Sequence, residues 1–228
     1  MHSRREKKVW QEIFTGVFGK EKLKILDVGT GPGISAILLI ELGHDVTGMD
    51  LSEVMLKNAR ENATRFDLPV DLIQGDAEKL PFEDGSFDAI FNRHVLWTLQ
   101  NPEMAIAEWR RVLKSGGKIV IIDGNWDDYK RIIYKRIWQI FLASPLILIT
   151  DQYWPTIWRR KRRNHTFNDI RLPMRDVKRP DTDIELLKTV GFINIEVNKK
   201  IRMQYSLLNH LKYGYQGNGF LISAIKGD

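Results

Sequence analysis

The chain has no cysteine among its 228 residues. That excludes disulfides, thiolate-ligated zinc and a cysteine nucleophile. It also has no apolar run long enough to cross a bilayer, which takes roughly 20 residues. The longest, "IWQIFLASPLILI" from Ile137 to Ile149, is shorter and is interrupted by Pro145. No secretory signal stands at the start, because Met1 to Lys8 is polar and basic with no apolar stretch behind it. The expectation is a cytoplasmic protein. No repeat or low-complexity segment breaks the chain. What is present suffices for a folded core: 43% of residues are hydrophobic and 28% charged. The net charge of +6 hints only modestly at an anionic partner.

Strand-like and helix-like segments alternate about every 20 residues. An N-terminal helix over Ser3–Val17 places Val9, Trp10, Ile13 and Phe14 on one face. Strands follow at Lys24–Val28, Asp45–Asp50, Val70–Asp76, Phe87–His94 and Ser115–Asp123. Between them lie helices at Ile34–Leu42, from Ser52 to about Phe66, and from Pro102 through Leu113. Such alternation gives right-handed βαβ crossovers and a parallel sheet covered on both faces. After Gly124 the rhythm stops. Residues 125–180 hold Pro145, Pro155, Pro173, Pro180 and four of the seven tryptophans. Then Thr182–Val190 reads as a helix, and "FINIEVNKKI" and "GFLISAIKG" read as an antiparallel strand pair.

In a parallel sheet ligands bind beyond the carboxyl ends of the strands. The first such end is "DVGTGPG", Asp27 to Gly33. Gly31, Gly33 and Ala36 spell G-x-G-x-x-A, a dinucleotide fingerprint. Gly29, Gly31 and Gly33 spell G-x-G-x-G after an acid, which suits a sulfonium cofactor. Asp27 separates the two. A carboxylate beside the turn repels a pyrophosphate and favours the ammonium and sulfonium of S-adenosylmethionine. Asp50 ends the second strand, where a carboxylate accepts ribose hydroxyls of either cofactor.

Downstream, "GDAEKLPFEDGSFDAI" (Gly75 to Ile90) and "LKSGGKIVII" (Leu113 to Ile122) complete a set of ordered motifs. The set resembles the class I S-adenosylmethionine-dependent methyltransferases, in particular the small-molecule branch that includes the ubiquinone/menaquinone C-methyltransferases. The likeness covers roughly Leu23 to Asp123. It implies a Rossmann-like α/β fold, a three-layer αβα sandwich. The sheet would be seven-stranded and mostly parallel, with an antiparallel C-terminal strand. It also implies that Asp27, Gly29, Thr30, Gly31 and Gly33 surround the methionine moiety. Asp50 would take the ribose and Leu51 would pack on adenine. Asp76 and Ala77 would flank the adenine amine, and Asn92 and Arg93 would face the cofactor. One domain over residues 1–228 is expected, with 125–180 as an inserted helical lid.

Methyl transfer needs donor and acceptor held in line and water excluded. A general base is needed only for a poorly nucleophilic acceptor. His94, after the fourth strand, is the catalytic candidate, and Asp123, after the fifth, is a second. His44 follows a helix-ending glycine and reads as solvated. No N-P-P-Y-type sequence follows the fourth strand, which counts against nucleobase and glutamine methyltransferases. The expected partner is a small, partly apolar methyl acceptor, methylated on C, O or N, with Trp126, Trp138, Tyr153 and Trp154 as walls of its site. Residues 129–163, with the cationic run Arg159 to Arg163, also suit a peripheral membrane contact. Nucleic acid is the weakest reading, since no RNA-binding module accompanies the run. An NAD(P)-dependent oxidoreductase is the rival, and an RNA- or lipid-directed methyltransferase a further alternative. A Y-x-x-x-K pair is missing at Tyr129 and Tyr134. A monomer or homodimer is expected, with no metal.

Overall fold

The computed structural model describes residues 4–124, 137–143, 145–146, 172–174, 177–199, 201 and 219–228. Five parallel strands run in sequence order as β1 (Lys24–Val28), β2 (Asp45–Asp50), β3 (Asp71–Gln74), β4 (Phe87–Arg93) and β5 (Leu113–Gly124). A hairpin-like pair closes the sheet as β6 (Phe192–Asn198) and β7 (Gly219–Lys226). The spatial order is β3-β2-β1-β4-β5-β7-β6. β7 runs antiparallel to both of its neighbours. Burial explains why β7 lies inside and β6 at the edge. "GFLISAI" is apolar on both faces and buried along its length, whereas "FINIEVN" exposes alternate residues.

The helices are α1 (Arg4–Phe18), α2 (Ile34–Glu41), α3 (Glu53–Arg65), α4 (Pro102–Val112) and α5 (Asp181–Thr189). α1 and α2 cover one face. Phe14 is fully buried there and meets Phe91 edge-on at 5.3 Å. α4 and α5 cover the other, where Trp109 is fully buried. Three layers result, as the alternation requires. Ser52 caps α3 by accepting from the Met55 amide at 3.4 Å, and Pro102 begins α4.

One expectation needs correction. His44 is buried, at 5% exposure. Its Nδ1 accepts the Leu23 amide at 3.3 Å and the Phe18 ring covers it, so burial holds its pKa below the ordinary histidine value. Within residues 125–180, Met174 and Arg179 are buried, Met174 in the core beneath α4 and α5.

Candidate active site

The sheet order reverses between β1 and β4, so their carboxyl ends open a crevice. The turn after β1 enters it. Gly29, Gly31 and Gly33 all have positive φ, at 68°, 56° and 76°. A Cβ at Gly29 would meet Val95 Cγ2 at 2.3 Å, and one at Gly33 would meet Ala59 Cβ at 2.9 Å. These two glycines let the turn pack against its own protein. Gly31 differs, since among the described residues nothing lies within 4 Å of the position its Cβ would take.

Three bonds fix the turn. The Thr30 amide donates to the Met49 carbonyl at 2.9 Å, the Gly33 amide to the Thr30 carbonyl at 3.0 Å, and the Gly31 amide to Asp50 Oδ2 at 2.9 Å. Asp27 is 1% exposed and accepts the Thr30 hydroxyl at 2.7 Å. Burial pushes its carboxyl up to about 7, against the Thr30 hydrogen bond and the nearby Arg93 charge, which both pull it down. The Arg93 guanidinium lies 4.5 Å from the Trp10 ring centre, so α1 borders this end of the site.

Asp50 Oδ1 accepts the Ser52 amide at 2.9 Å. Each oxygen therefore serves the backbone once and retains a lone pair for a diol. The next residue, Leu51, is 68% exposed, a large apolar side chain at the rim. Asp76 is exposed and takes the Glu78 amide on Oδ1 at 2.9 Å. The Ala77 carbonyl accepts the indole N–H of Trp109 at 2.9 Å. Asn92 is fully buried, and neither polar atom of its side-chain amide has a hydrogen-bond partner among the described residues. The cradle has features that fit an adenosine bearing a cationic tail: open space at the Gly31 Cα, a buried acid at Asp27, a second carboxylate at Asp50 and an exposed apolar side chain at Leu51.

A second cluster lies at the ends of β4 and β5. His94 adopts φ 62°, uncommon for a side-chain-bearing residue, and its amide donates to the Ile122 carbonyl at 2.9 Å. Its Nδ1 stands 3.5 Å from Asp123 Oδ1. Asp123 is fully buried; Oδ1 accepts the Gly124 amide at 2.9 Å and Oδ2 accepts Arg179 Nη1 at 2.7 Å. Arg179, itself 4% exposed, also donates to Asp183 through Nε at 2.9 Å and through Nη2. Burial opposes the Arg179 charge, but Asp183 and Asp123 outweigh it and raise its pKa. Burial likewise raises Asp183. Sequence reasoning missed Arg179 and Asp183. The available signal was "RPDTD", a cation four residues before an acid at the start of a helix. Trp138 lies half-buried on a π-helical turn, Trp138–Ala143. Trp126, Tyr153 and Trp154 lie outside the described residues.

A family profile described as a methyltransferase domain matches residues 26–121. The demethylmenaquinone methyltransferase of Renibacterium salmoninarum is 39% identical over 100 residues, 44% of this chain and 40% of that protein. The malonyl-[acyl-carrier protein] O-methyltransferase of Erwinia pyrifoliae is 45% identical over 100 residues, 43% of this chain and 36% of that protein. The chain thus spans well under half the length of these two relatives. The crystal structure of a SAM-dependent methyltransferase from Aquifex aeolicus superposes with a TM-score of 0.62 at 18% identity, over 98% of this chain and 93% of that one. Residues 26–121 are thus similar to a methyltransferase domain, and the chain shares the fold of the Aquifex aeolicus SAM-dependent methyltransferase.

Proposed function

We propose that this chain transfers a methyl group from S-adenosylmethionine to a small, partly apolar acceptor. The observation that carries the reading is the open space at the Gly31 Cα, beside an amide tied to the Asp50 carboxylate and backed by the buried Asp27. When bound, S-adenosylmethionine supplies a methyl carbon activated by its sulfonium. The residues of the chain then have distinct tasks. Asp27 sits behind the Gly29–Thr30–Gly31–Gly33 turn, where its charge offsets the cationic tail. Asp50 takes the ribose hydroxyls and Leu51 covers adenine. Asp76 accepts from the exocyclic amine beside Ala77, and Asn92 and Arg93 wall the methionine end. His94 takes a proton from the acceptor. Residues 125–180 enclose the acceptor, with Trp126, Trp138, Tyr153 and Trp154 as its walls.

An NAD(P)-dependent oxidoreductase is disfavoured by Asp27, whose charge would face a pyrophosphate. Calorimetry separates the two. We expect micromolar binding of S-adenosylhomocysteine and none of NADH. Asp50→Ala removes both the diol acceptor and the Gly31 anchor, and should weaken the binding roughly ten- to a hundredfold. Binding of NADH alone would sink the proposal.

A further inference from the structure

Glu78, in the loop after β3, has no role in the proposed function, yet its carboxylate is one of the most heavily bonded on the surface. It is half-buried and accepts three hydrogen bonds from two consecutive residues, 22 and 23 positions further on. Oε1 accepts the Gln100 amide at 2.7 Å and the Asn101 amide at 2.9 Å, and Oε2 accepts Asn101 Nδ2 at 2.9 Å. Asn101 is the N-cap of α4, but its own side chain makes no capping bond. Glu78 thus supplies the acceptor and the negative charge that a helix start favours. Burial alone would raise its carboxyl, but the Asn101 and Gln100 hydrogen bonds outweigh burial and hold it below the ordinary glutamate value.

A helix cap would explain that much. Three further bonds tie Glu78 to the cofactor cradle. Its amide donates to Asp76 Oδ1 at 2.9 Å, and the Lys79 amide closes the turn on the Asp76 carbonyl at 3.0 Å. Between them, the Ala77 carbonyl is held by the Trp109 indole at 2.9 Å. Ala77 and Glu78 are neighbours, yet their partners stand at the cap and near the far end of α4. The turn therefore cannot pivot about either contact alone. Asp76 is left with one oxygen committed to the Glu78 amide; among the described residues its Oδ2 accepts no hydrogen bond.

We infer that Glu78 is a positioning residue: by fastening the Asp76–Lys79 turn to the start of α4, it holds Asp76 Oδ2 where it selects a purine carrying a 6-amino group. This rests on the methyl-transfer reading, which sets adenine beside Asp76 and Ala77. A carboxylate only accepts hydrogen bonds, so the amine is what it can recognise on that edge of the base. The selection depends on where Oδ2 stands. Asp76 is exposed, and once its turn is released its carboxylate can turn to water instead. Glu78 therefore acts on the difference between bases, whereas a simple helix cap would act on binding of any base alike.

Calorimetry on the full chain compares S-adenosylhomocysteine with its 6-deamino analogue, which carries purine in place of adenine. We expect the wild type to prefer S-adenosylhomocysteine about tenfold, the effect of one hydrogen bond to a charged acceptor. In Glu78→Ala the preference should fall to about twofold, while the affinity for the analogue changes by less than about twofold. Asp76→Ala should abolish the preference, and adding Glu78→Ala to it should lower S-adenosylhomocysteine affinity no further, because the two residues act through one contact. Asn101→Ala, at an exposed position, removes one of the three bonds to Glu78 and should lower the preference to about fivefold. The test therefore does not depend on one variant folding. Equal losses for both ligands in Glu78→Ala would make Glu78 a helix cap alone and overturn the inference. An unchanged preference in either Glu78→Ala or Asn101→Ala overturns it as well. So does a wild type that binds both ligands alike, although its binding of S-adenosylhomocysteine would still support methyl transfer. No binding of S-adenosylhomocysteine at all removes the methyl-transfer reading itself, and the inference with it.

Discussion

In the proposed function cofactor choice turns on Asp27, and the burial of that residue should make binding depend on pH. Burial pushes its carboxyl up to about 7, well above the ordinary aspartate range. The folded chain therefore binds more protons than the unfolded chain across that interval. Stability falls as pH rises from about 4 to about 7, because each ionised Asp27 is a charge without water. A cationic ligand reverses this cost. Its ammonium stabilises the ionised carboxylate, so binding should release a proton below neutrality. We expect the affinity for S-adenosylhomocysteine to rise roughly eightfold between pH 6 and 7.5, following the ionised fraction of a group titrating near 7. Calorimetry at those two values measures it. Asp27→Asn should bind weakly at both, with the slope gone; an unchanged slope would move the titration to another group. Asp50 holds a backbone amide on each oxygen.

At the scale of elements, α4 fastens the loop that the proposed function sets beside adenine. Trp109 is fully buried and its indole N–H holds the Ala77 carbonyl at 2.9 Å. Glu108 accepts the Leu80 amide at 3.0 Å, and Arg111 donates to the Leu80 and Phe82 carbonyls. The loop from Asp76 to Asp84 is thus fastened to one helix face. Trp109→Phe removes one of those bonds and leaves a small cavity. We expect a loss of about 1–3 kcal/mol in stability, seen as a fall of several degrees in the melting midpoint. Affinity for S-adenosylhomocysteine should fall a few-fold, as Asp76 and Ala77 loosen. An unchanged midpoint would mean that packing, not the bond, carries the loop. The elements themselves were legible because buried parallel strands are apolar throughout and their ends are marked by acids and glycines. "KILDVGTG" needed no partner to be read. His44 was not legible, because its environment is set by Phe18 and by the Leu23 amide, 21 residues before it. Arg179 was hidden for a similar reason. Its partner Asp123 lies 56 residues away, across the segment where the alternation of strand and helix is lost.

Across the whole molecule, charge is as unevenly placed as chemistry. The five cations from Arg159 to Arg163 account for nearly all of the net +6. The remainder of the chain is close to neutral, so any long-range attraction to an anionic surface originates in that run. It follows "YWPTIW", and tryptophan beside arginine favours the headgroup level of a bilayer. Among the described residues no helix is long and apolar enough to cross a membrane. Each basic residue near an anionic leaflet contributes about 1 kcal/mol, which gives the run roughly 5 kcal/mol at low salt. That is a weak, reversible association. We expect co-sedimentation with vesicles containing phosphatidylglycerol and little with pure phosphatidylcholine. Raising salt to about 0.5 M should release the protein, since the Debye length then falls below about 5 Å. Replacing Arg159, Arg160, Lys161, Arg162 and Arg163 with serine should abolish the anionic preference and leave S-adenosylhomocysteine binding intact. Equal binding to both vesicle types would assign the contact to the tryptophans. No binding to either would leave the run a solvated face, with the tryptophans as walls of the acceptor site alone.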